Sequence, residues 1–95
     1  MVDEIAKNRA SRRYVSREDL SVHLGILLQD YPEGGFKTEH IRSYVSPLVE
    51  RLKDKLPRGE KPSQIVLNEA KRFLEEQGWQ SYSTIHKKGY YRKEY

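Results

Sequence analysis

Apolar residues recur at the spacing of an amphipathic helix in three successive stretches of the chain, which predicts three helical segments. The first begins at Ser16, because Ser16 and Asp19 are spaced like a capping box, with Asp19 in the turn that the helix dipole makes favourable for carboxylates. It ends before Pro32, since proline disfavours helical geometry in the preceding residue and two glycines follow. Its apolar stripe consists of Leu20, Leu24, Leu27 and Tyr31, widened by Ile26 and Leu28.

The second stretch, residues 38–56, contains a proline near its middle. Its apolar residues keep helical phase across Pro47, which is compatible with one kinked helix. A proline inside a helix costs about 3 kcal/mol, whereas Ser46 and Pro47 make a natural cap and first residue of a new helix. We therefore predict two short helices, 38–44 with Thr38 as cap and 47–56. The residues in phase are Ile41, Val45, Leu48, Leu52 and Leu56.

The third stretch follows the linker 57–62 and is capped by Ser63. It ends at Gly78, which supplies the left-handed conformation with which many helices end. Trp79 comes next as a large apolar anchor. The stripe that needs a packing partner consists of Ile65, Val66, Ala70, Phe73 and Leu74.

Beyond Trp79 the pattern alternates with a period of two, which predicts a β-hairpin. We expect residues 86–89 to form the turn and residues 90–95 to return as the second strand. The predicted fold class is therefore α+β, with three to four helices followed by a C-terminal β-hairpin. In the first strand, Trp79, Ser81, Ser83 and Ile85 face one way, and Tyr82 and Thr84 face the other.

Charge is concentrated at the two ends of the chain. The whole sequence has 18 Lys and Arg against 14 Asp and Glu, a net charge of +4 and a pI near 9.4. Residues 1–17 carry five cations and two carboxylates, and residues 79–95 carry four and one. We predict a basic, flexible arm over 1–15, with Arg12 and Arg13, and a single domain over 16–95. A net positive charge of this kind favours anionic partners such as nucleic acid.

Several classes of protein do not fit the sequence. Without cysteine there are no disulfides and no thiolate metal ligands. No apolar run suits a signal peptide or a membrane span, so we expect an intracellular protein of the cytoplasm or the nucleoid or nucleus. His23, His40 and His86 lie in separate segments without the spacing of a metal motif. We predict surface or half-buried positions for His23 and His40, and neither enzymatic activity nor a cofactor.

The order of the elements resembles the winged helix-turn-helix superfamily. The residues that carry the resemblance are 63–79, SQIVLNEAKRFLEEQGW, and the hairpin that follows them. The resemblance implies a small winged-helix-like domain in which 63–77 is the recognition helix and 79–95 is the wing. One feature departs from it, since six residues separate Leu56 from Ser63 and a helix-turn-helix usually has a turn of about three or four.

The resemblance implies that polar residues of the recognition helix read base edges in DNA. Gln64, Asn68 and either Lys71 or Arg72 lie opposite the apolar stripe. Amide side chains pair with adenine, and Lys or Arg pairs with guanine. Any surface helix carries polar residues there, however, and Glu69, Glu75 and Glu76 on the same helix would repel phosphate.

The hairpin carries a second set of candidate contacts. Cations on a projecting loop supply much of the non-specific affinity for DNA, and a phenol can bond a phosphate or stack on a base. The alternative role of the tyrosines is cross-strand packing on Trp79. The basic residues are His86, Lys87, Lys88, Arg92 and Lys93, and the tyrosines are Tyr82, Tyr90, Tyr91 and Tyr95.

The sequence therefore predicts a non-enzymatic domain that binds double-stranded DNA, such as a transcriptional regulator. Two other functions stay open. In a protein-interaction module, the edge of the hairpin would pair with a second copy or another protein. In an RNA-binding module, stacking by the tyrosines would matter more than groove shape.

Overall fold

The computed structural model describes residues 15–56 and 59–93. They form four helices followed by an antiparallel hairpin of two strands, which confirms the predicted α+β class. Residues 1–14 of the predicted arm, which include Arg12 and Arg13, lie outside the described residues. The last residue of that arm, Val15, is buried in the core. Tyr95 of the predicted second strand also lies outside the described residues. The elements are α1 Arg17–Asp30, α2 Thr38–Tyr44, α3 Ser46–Leu52, α4 Pro62–Glu76, β1 Trp79–Ser83 and β2 Lys88–Arg92.

Helix α1 begins as predicted. The Ser16 hydroxyl accepts a hydrogen bond of 3.1 Å from the Asp19 backbone N–H, which satisfies one of the unpaired donors at the helix start. The assignment of Ile26 to the buried stripe is wrong, because Ile26 is 48% exposed. At 100° per residue it lies about 130° from the centre of that stripe. The stripe itself is confirmed by the buried residues Leu20, Leu24 and Leu27.

The second stretch forms two helices, as predicted, but the break lies at Val45, so the prediction that Ser46 caps the second helix is wrong. Ser46 is the first helical residue and Pro47 the second, where its missing N–H would still be unpaired. Helix α2 has the predicted bounds, but its N-cap is Lys37 and not Thr38. The Lys37 backbone N–H donates to His40 Nδ1 at 2.9 Å, so His40 completes this helix start. His40 and His23 are both half-buried, as predicted.

Helix α3 begins at Ser46 and ends at Leu52, four residues before the predicted end at Leu56. The residues that follow, 53–55, are all exposed and offer no apolar side chain that would hold another helical turn against the core. A turn replaces it, closed by a bond of 3.0 Å from the Lys55 backbone N–H to the Leu52 carbonyl.

Helix α4 begins at Pro62, so the prediction that Ser63 caps it is wrong. Proline suits the first helical position because its backbone angle is already helical and its missing N–H would be unpaired there. After the helix, Gly78 takes a φ of 92°, as the sequence predicted, and Trp79 is 1% exposed. The buried apolar residues of α4 are Val66, Leu67, Ala70 and Leu74.

The hairpin turn lies earlier than predicted. Lys88 belongs to β2, where it pairs with Ser83, so the turn is 84–87 and not 86–89. Thr84 closes it, because its backbone N–H donates to the Lys87 carbonyl at 2.8 Å and its hydroxyl accepts from the Lys87 N–H at 2.9 Å. Ile85 is therefore a turn residue and does not continue β1 beside Trp79.

A short bridge ties the hairpin to the helices. The Tyr90 N–H donates to the Phe36 carbonyl, and the Gly35 N–H donates to the Tyr90 carbonyl, both at 2.7 Å. The Phe36 ring stacks on Tyr90 at a centroid distance of 5.4 Å and meets Trp79 at 5.2 Å. The hairpin base is thus part of the core.

Candidate nucleic-acid interface

One face of α4 carries the polar residues singled out in the sequence. Gln64 and Asn68 are exposed and Lys71 is half-buried. The three positions fall within about 60° of one another around the helix axis. Gln64 Nε2 donates to Asn68 Oδ1 at 2.9 Å. That bond leaves the Gln64 oxygen as an acceptor and the Asn68 amide nitrogen as a donor on one surface.

Arg72, the alternative to Lys71 in the sequence prediction, has a different environment. It lies about 80° around the helix from Gln64. Its Nη1 is 3.4 Å from Glu69 Oε1, and Glu69 is buried. An uncompensated buried carboxylate is costly, so Arg72 stabilises α4 by pairing with it. The arrangement also places Glu69 out of reach of an external phosphate.

The C-terminal end of α4 is tied to the start of α1. Arg17 forms an ion pair with Glu76, and its guanidinium lies 5.3 Å from the centroid of the Phe73 ring. One cation of the basic N-terminal segment therefore holds two helices together. Glu75 on the same turn is exposed.

The two faces of the hairpin differ. Trp79 and Tyr90 lie on the inner face and are buried. Tyr82 and Tyr91 lie on the outer face, with ring centroids 6.0 Å apart. Lys87 Nζ is 5.0 Å from one of these rings and 5.4 Å from the other, which is cation–π distance. Lys87 thus lies over the outer tyrosines, close to the turn.

The remaining hairpin cations lie either at its base, where the Lys93 backbone N–H donates to the Gly78 carbonyl at 2.8 Å, or close to the turn, where Lys88 pairs with Ser83. The Arg92 guanidinium lies 4.7 Å from the centroid of Trp79, and its Nη1 donates to the Gln77 carbonyl at 3.4 Å, so Arg92 covers the base. Lys88 and Lys93 are exposed and have no ion-pair partner within residues 15–56 and 59–93.

The turn contains a feature that the alternating pattern missed. Ile85 is 92% exposed beside the exposed His86. Sequence reasoning assigned Ile85 to the face of Trp79 because the strand was extended by two residues. Only the tight closure at Thr84 reveals that Ile85 lies at the apex.

Elsewhere the surface offers a small cavity of about 50 Å³ between α1 and α3. Ligand pockets usually measure about 300–1,000 Å³, so this cavity has room for one or two waters. Within the described ranges, no three His, Asp or Glu side chains come together as a metal site. The cavity is lined by Val15, Asp19, Leu48, Arg51, Leu52 and Lys55.

Comparison with known proteins yields no relative, since no protein-family model, no curated protein and no solved structure matches this chain. None of the helices in the described part of the chain has the length and apolar character needed to cross a membrane. The candidate interface therefore rests on the positions of its own residues and not on a relative. The polar face of α4 and the basic hairpin are adjacent in the chain, because only residues 77 and 78 separate α4 from β1.

Proposed function

We propose that this protein is a non-enzymatic domain that binds double-stranded DNA through α4 and the C-terminal hairpin. The observation that carries the proposal is the hairpin itself, whose outer half carries the half-buried Lys87 and the exposed Lys88 and contributes no buried side chain to the core. The order of the elements also supports the proposal. Helices are followed by a glycine, a tryptophan and a basic hairpin, and this order resembles that of winged helix-turn-helix domains.

Helix α4 is suited to the major groove. A helix with side chains is about 10–12 Å across, and the major groove of B-DNA is about 12 Å wide. The Gln64 oxygen and the Asn68 amide nitrogen present one acceptor and one donor, which matches the N6 donor and N7 acceptor of adenine. Lys71 on the same face suits guanine or a phosphate.

The hairpin supplies the electrostatic part of binding. Lys88 lies at the start of β2 and Lys87 lies over the outer tyrosines at the end of the turn, whereas Lys93 is exposed at the base of the hairpin. Cations on a projecting element reach backbone phosphates without displacing core residues. Phosphate contacts of this kind fix orientation and supply affinity, whereas the α4 amides supply sequence preference.

The experiment is a salt titration of binding to a random-sequence duplex, followed by fluorescence anisotropy. If Lys71, Lys87, Lys88 and Lys93 each contact a phosphate, the slope of log affinity against log salt is about −3.6. Affinity then falls about 150-fold between about 50 and 200 mM salt. A slope near zero, or no binding at the low-salt end, would contradict the proposal.

A second candidate function is strand-mediated association. Strand β2 pairs with β1 on one side and with Phe36 on the other, whereas β1 pairs on one side only within the described residues. An open edge can accept a strand from a second copy or another protein. A stable dimer in sedimentation velocity, with weak and salt-insensitive DNA association, would favour this function. Preferential competition by single-stranded RNA would instead favour RNA binding.

A further inference from the structure

The apex of the hairpin departs from ordinary turn chemistry. Ile85 and His86 are the two residues enclosed by the Thr84–Lys87 closure. Tight hairpin turns favour Asn, Asp and Gly, and β-branched residues suit strands better. Ile85 is nevertheless 92% exposed, more than the other large exposed aliphatic residues, Val22 at 62% and Ile26 at 48%.

Folding does not account for an isoleucine at this apex. Ile85 buries almost no surface, so it adds little hydrophobic stabilisation to the domain. Positions where a local rule is broken without a gain in packing are often functional. The neighbouring exposed side chains Thr84, His86 and Lys88 are polar or basic, so Ile85 does not belong to an apolar patch of the kind that docks another protein.

The dimensions of the hairpin suit a groove of DNA. At about 3.3 Å per residue, β1 carries the chain about 13 Å from Trp79 to Ser83, and the apex lies further out. The minor groove of B-DNA is about 6 Å wide, too narrow for two strands and their side chains but wide enough for one aliphatic side chain. Entry to that groove is therefore restricted to the apex.

We infer, on the basis of the proposed DNA-binding function, that Ile85 is an apolar wedge that enters the minor groove and partly unstacks one base step. Apolar wedges of this kind kink a duplex, and flexible pyrimidine–purine steps yield most easily. Lys88 and His86 flank the wedge and contact the phosphates on either side. The domain thereby bends the DNA that it binds.

Ligase-catalysed ring closure of duplexes of about 100 bp measures bending without knowledge of a target sequence, because such duplexes are shorter than the persistence length of about 150 bp. At saturating protein, the wild type is expected to accelerate ring closure several-fold. Ile85→Thr keeps a β-branched residue but replaces the ethyl group on Cβ with a hydroxyl, and is expected to abolish the acceleration while retaining the salt dependence of binding. Ile85→Leu is expected to retain it.

The matched control is Ile26→Thr, the same exchange at an exposed position of α1, which should accelerate ring closure like the wild type. Equal acceleration by wild type and Ile85→Thr at matched occupancy would overturn the wedge. Steep, salt-dependent binding by a wild type that does not accelerate ring closure would also overturn it, and would leave the DNA-binding function standing. Absence of salt-dependent binding would overturn both.

Discussion

The base and the apex of the hairpin lie in one continuous segment but have opposite environments. At the base, Trp79 and Tyr90 are buried and pack on Phe36 from the loop after α1. At the apex, Ile85 and His86 are exposed and held only by the closure of the turn. Packing therefore constrains the side chains of the base but not those of the apex, which is where the proposed contact with DNA would lie. This difference in burial indicates that the identity of the apex residues is not set by the stability of the fold.

The largest expected effect comes from truncating the base. Trp79→Ala should lower the free energy of unfolding by about 3–5 kcal/mol, because it removes a fully buried aromatic side chain and leaves a cavity. Ile85→Ala should change it by less than about 0.5 kcal/mol, as is usual for exposed positions. Urea denaturation followed by circular dichroism measures both. Similar decreases in the free energy of unfolding for the two variants would contradict the distinction between base and apex.

A smaller loss is expected from a methyl group at Gly89. Gly89 has a φ of 111°, and an added Cβ would lie 2.7 Å from the Phe36 carbonyl oxygen, so alanine must disrupt the bridge. Gly78 has a φ of 92° but open space around its Cβ position, so Gly78→Ala carries only the backbone penalty of about 1–2 kcal/mol. Gly89→Ala should be the less stable variant in urea denaturation. Equal stabilities of Gly89→Ala and Gly78→Ala would show that the bridge between Tyr90 and Phe36 does not contribute to the free energy of unfolding.

Removal of the two exposed hairpin lysines, Lys88 near the turn and Lys93 at the base, should leave stability unchanged and alter binding. The double change Lys88→Ala and Lys93→Ala should make the salt slope shallower by about 1.8, since each lost phosphate contact removes about 0.9. The matched control is Lys53→Ala with Lys55→Ala, which removes the same charge from exposed positions after α3. If the salt slope became equally shallow in both double variants, the effect would be due to net charge and not to the hairpin.

The smallest effect concerns a contact remote from the hairpin. The Tyr44 hydroxyl donates to Asp30, and this bond raises the pKa of Tyr44 from 10.0 to about 12. The folded state thus favours the neutral phenol, so the stabilisation is present below about pH 10 and is lost as the pH rises towards 12. Tyr44→Phe should therefore lower the urea midpoint slightly at pH 8, and the difference should shrink at pH 11. Tyr82→Phe serves as the control, and an unchanged difference at pH 11 would contradict the assignment.

Much of the helical architecture follows from the sequence, because helical stripes depend on local spacing. The leucines of α1, the break before Pro47 and the left-handed Gly78 were all predicted from neighbours within a few residues. The position of the hairpin turn was not. It depends on Thr84 closing on Lys87 and on Phe36 fixing the register of β2. The second of these contacts joins segments more than fifty residues apart, which no local pattern reveals.

The candidate site shows the same limit. Gln64, Asn68 and Lys71 could be placed on one face by counting residues. The spacing of Glu69 and Arg72 allows them to pair, but the burial of Glu69, which commits Arg72 to that pair, could not be foreseen because it depends on packing against other elements. The exposure of Ile85 likewise requires the turn to be placed within two residues.

Amide chemical-shift mapping on titration with a random-sequence duplex shows which residues of this domain contact DNA. If α4 and the hairpin bind the duplex, the largest perturbations lie at residues 84–88 and at Gln64, Asn68 and Lys71, with the buried base around Phe36 little changed. Perturbations centred on the exposed face of α1 around Val22 and Ile26, or none at low salt, would contradict binding through α4 and the hairpin.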